Sequence, residues 1–291
     1  MAAYCAHYFR SADGRLDLHA RIYPGPGDND APPLLLMHGL TRNSADFEPL
    51  AACLAGRYRL IVPDQRGRGL SQWDPNPVNY RPDVYAADMF MLLDGLGIRA
   101  AGLIGTSMGG LMAMIMGASQ PGRVPLIALN DVGARLELEG LQRIQGYVGP
   151  SGTMHGWDEA AARCAAINEA AFPGFGPEDW LAFARRTCRE DDHGGIAFAY
   201  DPAISESIRG AEPATVPAEL WPLWDALAAI PVLVVRGARS DLLAAETVTE
   251  MARRHSGAFV SAAVPDRGHA PLLDEPAALN ALESFLAAQL R

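Results

Sequence analysis

The segment Gly105-Thr106-Ser107-Met108-Gly109 follows the apolar run Ala101-Gly102-Leu103-Ile104 and precedes Leu111-Met112-Ala113-Met114-Ile115-Met116. A short apolar run, a turn of small residues and a longer apolar run read as a strand, a tight turn and a helix. One residue at the tip of such a turn takes strained backbone angles, and neighbours without Cβ let strand and helix pass closely. Ser107 then stands at the positive end of the helix, with the Met108 N–H left without an intrahelical acceptor. A hydroxyl presented in this way suits a nucleophile, provided a base reaches it from elsewhere in the chain. The pentapeptide alone is a weak signal, because Gly and Ser also collect in ordinary loops.

Other segments supply what the turn lacks. His38-Gly39-Leu40 follows the apolar run Leu34-Leu35-Leu36-Met37, Asp64-Gln65-Arg66-Gly67-Arg68-Gly69-Leu70-Ser71 follows Leu60-Ile61-Val62-Pro63, Asp241 lies past Val232–Gly237, and Gly268-His269-Ala270 lies near the C-terminus. In this order the set resembles the α/β-hydrolase superfamily, in the capped branch that holds esterases, lactonases and carbon–carbon bond hydrolases. The resemblance runs from Leu34 to the last helix, with about Gly133 to Ala229 matching only as a generic cap. It implies an α/β-hydrolase fold: a mostly parallel eight-stranded sheet, helices on both faces and a helical cap inserted after the sixth strand. The expected division is core 1–132, cap 133–229 and core 230–291.

The alternation of elements agrees with that expectation. Tyr4–Phe9 and Leu16–Tyr23, joined by Ser11-Ala12-Asp13-Gly14, read as an antiparallel hairpin, and Pro24–Pro33 reads as a loop. Strands are expected at Leu34–Met37, Arg59–Pro63, Ala101–Ile104, Val124–Leu129, Val232–Arg236 and Phe259–Val264. Helices are expected at Phe47–Ala55, Arg81–Leu96, Met108–Ser119, Ala244–His255 and Pro276–Leu290. Between Asn130 and Pro231 the pattern turns helix-like, apart from a short strand candidate at Ile196–Tyr200. This stretch holds Trp157, Trp180, Trp221 and Trp224, which read mostly as a small helical core, with Trp157, Trp180 and Trp221 as candidate substrate contacts.

Composition narrows the classes. At 291 residues with a net charge of −10 the chain can bury a full core, and no Lys/Arg cluster points to nucleic acid. Cys5, Cys53, Cys164 and Cys188 form no spaced framework and read as free thiols of a reducing cytosol. The first ten residues show no signal-peptide pattern, so a cytoplasmic protein is expected. Residues Ala100 to Gly122 carry no charge and are long enough for a membrane span, but their glycines and hydroxyls suit a buried strand, turn and central helix better. His193 beside Asp191 and Asp192 is too sparse a set for a metal.

The resemblance assigns roles to these residues. Ser107 is expected to attack, His269 to act as base, and the N–H groups of Leu40 and Met108 to hold the oxyanion. His38 shapes the Leu40 loop rather than titrating, and Asp64 is a structural turn residue. Two carboxylates compete to orient His269: Asp241, after the strand that follows the cap, is favoured, and Asp131, after the strand that precedes it, is the alternative. Arg42 is a candidate contact for an anionic substrate, against a plain salt bridge to Asp46 or Glu48. Serine at the turn disfavours dehalogenase and epoxide-hydrolase chemistry, which use aspartate there. The expected activity is cofactor-free hydrolysis of carboxylic esters or lactones by a monomer or homodimer. A carbon–carbon hydrolase of ring-cleavage products is the alternative, and a non-turnover small-molecule receptor is a more distant one.

Overall fold

The computed structural model describes residues 2–25, 27, 32–191, 193–208 and 219–290. Parts of the expected 24–33 loop and of the 133–229 insert, and Asp192, lie outside the described residues. The strands are β1 (Cys5–Arg10), β2 (Asp17–Tyr23), β3 (Pro33–Met37), β4 (Arg59–Pro63), β5 (Gly102–Thr106), β6 (Ile127–Asn130), β7 (Cys188–Glu190), β8 (Ile196–Phe198), β9 (Val232–Gly237) and β10 (Phe259–Val264). The helices are α1 (Glu48–Leu54), α2 (Pro82–Gly95), α3 (Met108–Ser119), α4 (Leu138–Tyr147), α5 (Trp157–Asn168), α6 (Pro177–Thr187), α7 (Trp221–Asp225), α8 (Ala245–Arg254) and α9 (Pro276–Gln289).

Eight strands form one sheet in the order β1-β2-β4-β3-β5-β6-β9-β10. β2 pairs antiparallel with β1 and β4, and all other neighbours are parallel. Both faces are covered, so the central strands are apolar at successive positions and each face takes alternate residues. Leu35, Met37, Leu103, Leu129 and Val234 pack with α2 and α3 on one side. Leu34, Leu36, Ile104, Ala128 and Val235 pack with α1 and α9 on the other. The uncharged stretch 100–122 is accounted for by β5, the turn and α3. No helix among the described residues is long and apolar enough to cross a membrane.

One boundary moves. The strand expected at Val124–Leu129 starts at Ile127, after a 3₁₀ turn over Pro121–Arg123. Pro125 has no N–H to give to a ladder, so pairing begins beyond it.

Between β6 and β9 the chain leaves the sheet. α5 and α6 close over a third apolar cluster that includes Met154, Cys164, Phe172, Phe183 and Ile196, and β7 and β8 form a small antiparallel ribbon. Backbone hydrogen bonds tie this insert to the loop after β4. Gly69 N–H donates to Ala199 O at 2.8 Å and Asp201 N–H to Gly67 O at 2.8 Å, and the Tyr80 hydroxyl donates to Asp201 Oδ2 at 2.5 Å. The insert therefore lies against the C-terminal edge of the sheet, where β3, β4, β5 and β6 release their loops.

Candidate active site

The turn after β5 is as tight as its composition demands. Ser107 has φ 53° and ψ −114°, angles that carry roughly 1–3 kcal/mol of strain for a residue with a Cβ. The glycines make the close passage feasible: a Cβ on Gly105 would lie 2.3 Å from Gly109 O, and one on Gly109 would lie 2.0 Å from Met37 O. β5 and α3 are thus held against β3, and Ser107 is lifted to the sheet edge.

His269, in the loop after β10, meets it there. Its Nε2 is 2.8 Å from Ser107 Oγ and its Nδ1 is 2.8 Å from Asp131 Oδ2. The carboxylate partner is therefore Asp131, and the expectation that Asp241 would lie against this ring is corrected. Asp131 is fully buried just past β6, with φ 55°. Its Oδ1 accepts the Gly237 N–H at 2.7 Å and its Oδ2 accepts the Ser240 hydroxyl at 2.6 Å. Three donors from two loops fix the carboxylate, and an acceptor at Nδ1 leaves Nε2 free to accept from the serine.

Asp241 faces the other way. Both its oxygens accept from Arg143 of α4, at 2.5 and 2.9 Å. Burial works to raise the Asp241 carboxyl, but the Arg143 hydrogen bonds and charge outweigh it and hold it below the usual range. The reason for the exchange lies in the sheet. β6 and β9 are adjacent parallel strands, so the loops carrying Asp131 and Asp241 emerge side by side under His269. Asp131 N–H donates to Val235 O at 2.7 Å, Ser240 bridges inward to Asp131, and Asp241 is the next residue out.

The loop after β3 is fixed from below. Buried His38 donates from Nδ1 to Gly39 O at 2.7 Å, and its Nε2 accepts the Gln65 N–H at 3.2 Å. Burial pushes its pKa down to about 3, so the ring stays neutral and that tautomer is kept. Arg42 N–H also reaches Gly39 O, at 3.2 Å. With this carbonyl held from one side, the trans peptide turns the Leu40 N–H to the opposite side. Asp64, as expected, ties turns together: it accepts from His19 Nδ1 and from the Ser44 and Leu70 N–H groups.

Arg68 is a residue the sequence reading did not single out. It is fully buried, donates from Nε to Leu40 O at 2.9 Å and from Nη1 to Arg66 O at 2.8 Å, and lies 3.6 Å from Met108 Sδ. Its guanidinium sits 4.8 Å over the Tyr85 ring. Arg66, two residues earlier, is taken by Asp88 and Asp74, whereas no carboxylate bonds Arg68 among the described residues. The only sequence signal was its place in the run Asp64–Ser71.

Two cavities open at Ser107. One, with about 720 Å³ of empty space including its mouth, is lined by Arg42, Tyr147, Asn168, Thr187 and His269 among others. The second, about 700 Å³, is lined by Met108, Leu111, Val132, Leu136 and Leu141 among others. Arg42 lines the first and also pairs with Asp46 at 2.9 Å, so contact and salt bridge coexist. Trp157, Trp180 and Trp221 line neither cavity, which corrects their expected role as substrate contacts. Trp180 packs edge-on to Phe172 and Phe183, while Trp157 and Trp221 lie under Arg185 and Arg254. Amphipathic α4 and the ends of α5 and α6 furnish the walls instead, through Ile144, Tyr147, Asn168 and Thr187.

Comparison with known proteins agrees with the fold. A family model described as alpha/beta hydrolase fold matches residues 32–175. The chain is 37% identical over 275 residues to a 3-hydroxybutyrate-oligomer hydrolase of Cupriavidus necator, covering 92% of this chain and 93% of that one. It is 30% identical over 241 residues to a 2-(acetamidomethylene)succinate hydrolase of Mesorhizobium japonicum, covering 82% of this chain and 81% of that one. Among solved structures, an alpha/beta hydrolase from Novosphingobium aromaticivorans superposes with a TM-score of 0.90 at 42% identity, covering 99% of both chains.

Proposed function

Because this chain belongs to the α/β-hydrolase fold superfamily, we propose that it is a serine hydrolase that cleaves carboxylic esters, with hydroxyalkanoate oligoesters as the leading substrate class. The observation that carries the reading is the unbroken chain Ser107–His269–Asp131, with both links at 2.8 Å. Ser107 Oγ attacks the ester carbonyl while His269 Nε2 takes its proton. The Met108 and Leu40 N–H groups receive the oxyanion, and collapse of the tetrahedral adduct breaks the bond to the alcohol oxygen, which takes the proton from His269. Water, deprotonated by the same imidazole, then attacks the acyl-serine and releases the acid. Asp131 orients the ring and stabilises the imidazolium at each stage.

Arg68 supports this arrangement as a positioning residue, since its hydrogen bond to Leu40 O fixes the residue whose N–H is assigned to the oxyanion. The described residues of the 133–229 insert act as a cap, because α4 walls both cavities over Ser107 and α5 and α6 wall the first. No step in this sequence requires a metal or organic cofactor.

Hydrolysis of a 3-hydroxybutyrate dimer and of p-nitrophenyl butanoate by the purified protein tests the assignment. Turnover of both is expected, with a loss on the order of 10⁴–10⁶ in Ser107→Ala and in His269→Ala, and little further loss in the double variant. Undiminished turnover in Ser107→Ala would overturn it.

A further inference from the structure

The two cavities divide the machinery between them, and that division orients the substrate. Among the described residues they share Leu40, Ser107 and Ile144. His269 lines only the first cavity and Met108 only the second. In ester cleavage by Ser107 the imidazolium returns its proton to the leaving oxygen, so the alcohol half lies on the His269 side. The acyl half then extends the other way, past Met108, between Leu111, Val132, Leu136 and Leu141. This wall suits an aliphatic chain, and among the described residues that line it there is no Lys or Arg to pair with a carboxylate.

The alcohol side has a different chemistry. Arg42 stands in its wall with only 15% of its side chain exposed. One nitrogen of its fork donates to Asp46 at 2.9 Å, and its guanidinium lies 4.0 Å over the Phe183 ring. Among the described residues that is its one side-chain hydrogen bond, so the remaining N–H groups are held in place and uncommitted. An arginine fixed by a carboxylate on one edge and a ring on its face loses little freedom on taking a second acceptor. Thr41, Asn168 and Thr187 add polar groups to the same wall.

The geometry points to esters of hydroxy acids as the substrate class, with an aliphatic acyl chain in the Met108 chamber and a leaving alcohol whose free carboxylate is bound by Arg42. This rests on the reading of Ser107 as an esterase nucleophile, and it adds which half lies where and which residue selects the charge. It also sets a direction of attack on an oligoester. The last ester bond before the free carboxyl end fits the site, because that is where the leaving alcohol carries the charge.

The test compares 3-(butanoyloxy)butanoate with its methyl ester, which share the acyl group and scissile bond and differ in one charge, by following butanoate release. A charge-assisted hydrogen bond is worth about 10–100-fold, so wild type is expected to favour the acid by that ratio in kcat/KM. Arg42→Gln should collapse the ratio toward one, chiefly through KM for the acid, and Arg42→Lys should restore part of it. Leu136→Phe should instead shorten the longest acyl chain accepted while the acid-to-methyl ratio persists. Equal cleavage of acid and methyl ester by wild type, or a ratio that survives Arg42→Gln, would overturn the inference. So would cleavage of p-nitrophenyl butanoate with neither butanoyloxy ester turned over. Failure on p-nitrophenyl butanoate as well marks the esterase reading itself as wrong.

Discussion

Replacing Asp131 by Asn tests which carboxylate serves His269. Asp131 accepts from His269 Nδ1, the Gly237 N–H and the Ser240 hydroxyl. An amide has one acceptor oxygen. If that oxygen keeps Gly237, the NH₂ faces the Nδ1–H of His269, and two donors meet. The ring relieves this by moving its proton to Nε2, which then points an N–H at Ser107 and can no longer accept from it. Loss of the acceptor tautomer and of the anion facing the imidazolium costs on the order of 10⁴ in kcat, or about 5.5 kcal/mol of transition-state stabilisation. The burial of Asp131 adds a stability cost of about 1–3 kcal/mol for any donor left unpaired. Asp241→Asn removes a partly exposed ion pair with Arg143, worth no more than about 1 kcal/mol, and turnover should stay within about ten-fold. The assay is kcat on p-nitrophenyl butanoate with a thermal unfolding curve for each variant. A larger loss of kcat in Asp241→Asn than in folded Asp131→Asn would refute the assignment.

Three other outcomes follow from the site. Gly109→Ala should abolish turnover and lower the unfolding midpoint, because its Cβ would press on Met37 O at 2.0 Å; a fully active, equally stable variant would show that the turn is looser than described. Arg68→Met should lower kcat about 10–100-fold with little change in KM, and weaken a trifluoromethyl ketone by a similar factor, since Leu40 is released and an oxyanion donor lost; unchanged inhibition by that transition-state analogue would remove Arg68 from the mechanism. His38, held near pKa 3 by burial, is neutral in the folded protein while the unfolded chain gains a proton below about 6.5. Its contribution to stability is complete above that pH and falls by at most about 1.4 kcal/mol per pH unit as the pH drops toward 3. Its imidazole NMR signals should stay constant from pH 8 to 5, and titration near 6.5 would contradict its burial.

Much of this was legible in the chain. Apolar runs and glycine turns located the sheet strands to within a few residues, since strands covered on both faces must be apolar throughout. Ser107 and His269 were marked by the turns they occupy. The choice between Asp131 and Asp241 was not legible, because it depends on how two neighbouring loops fold over the same edge. Ser240, inconspicuous in sequence, settles it by bonding Asp131 and turning Asp241 outward. The tryptophans pack against apolar clusters, as most were expected to. Only the substrate-contact role of Trp157, Trp180 and Trp221 misled, because large aromatics serve a small core as well as they serve a cavity wall. Arg68 was hidden for the opposite reason: a charged residue in a loop reads as exposed, and only packing against Leu40, Met108 and Tyr85 shows it buried.

The central claim is that Ser107 is the nucleophile and that His269 activates it. Labelling with a fluorophosphonate, followed by intact-mass measurement and peptide mapping, addresses both parts at once. The account predicts one adduct per chain, on the peptide containing Ser107, formed slowly in His269→Ala and absent in Ser107→Ala. An adduct on any other residue, or labelling of Ser107 at an undiminished rate without His269, would contradict it.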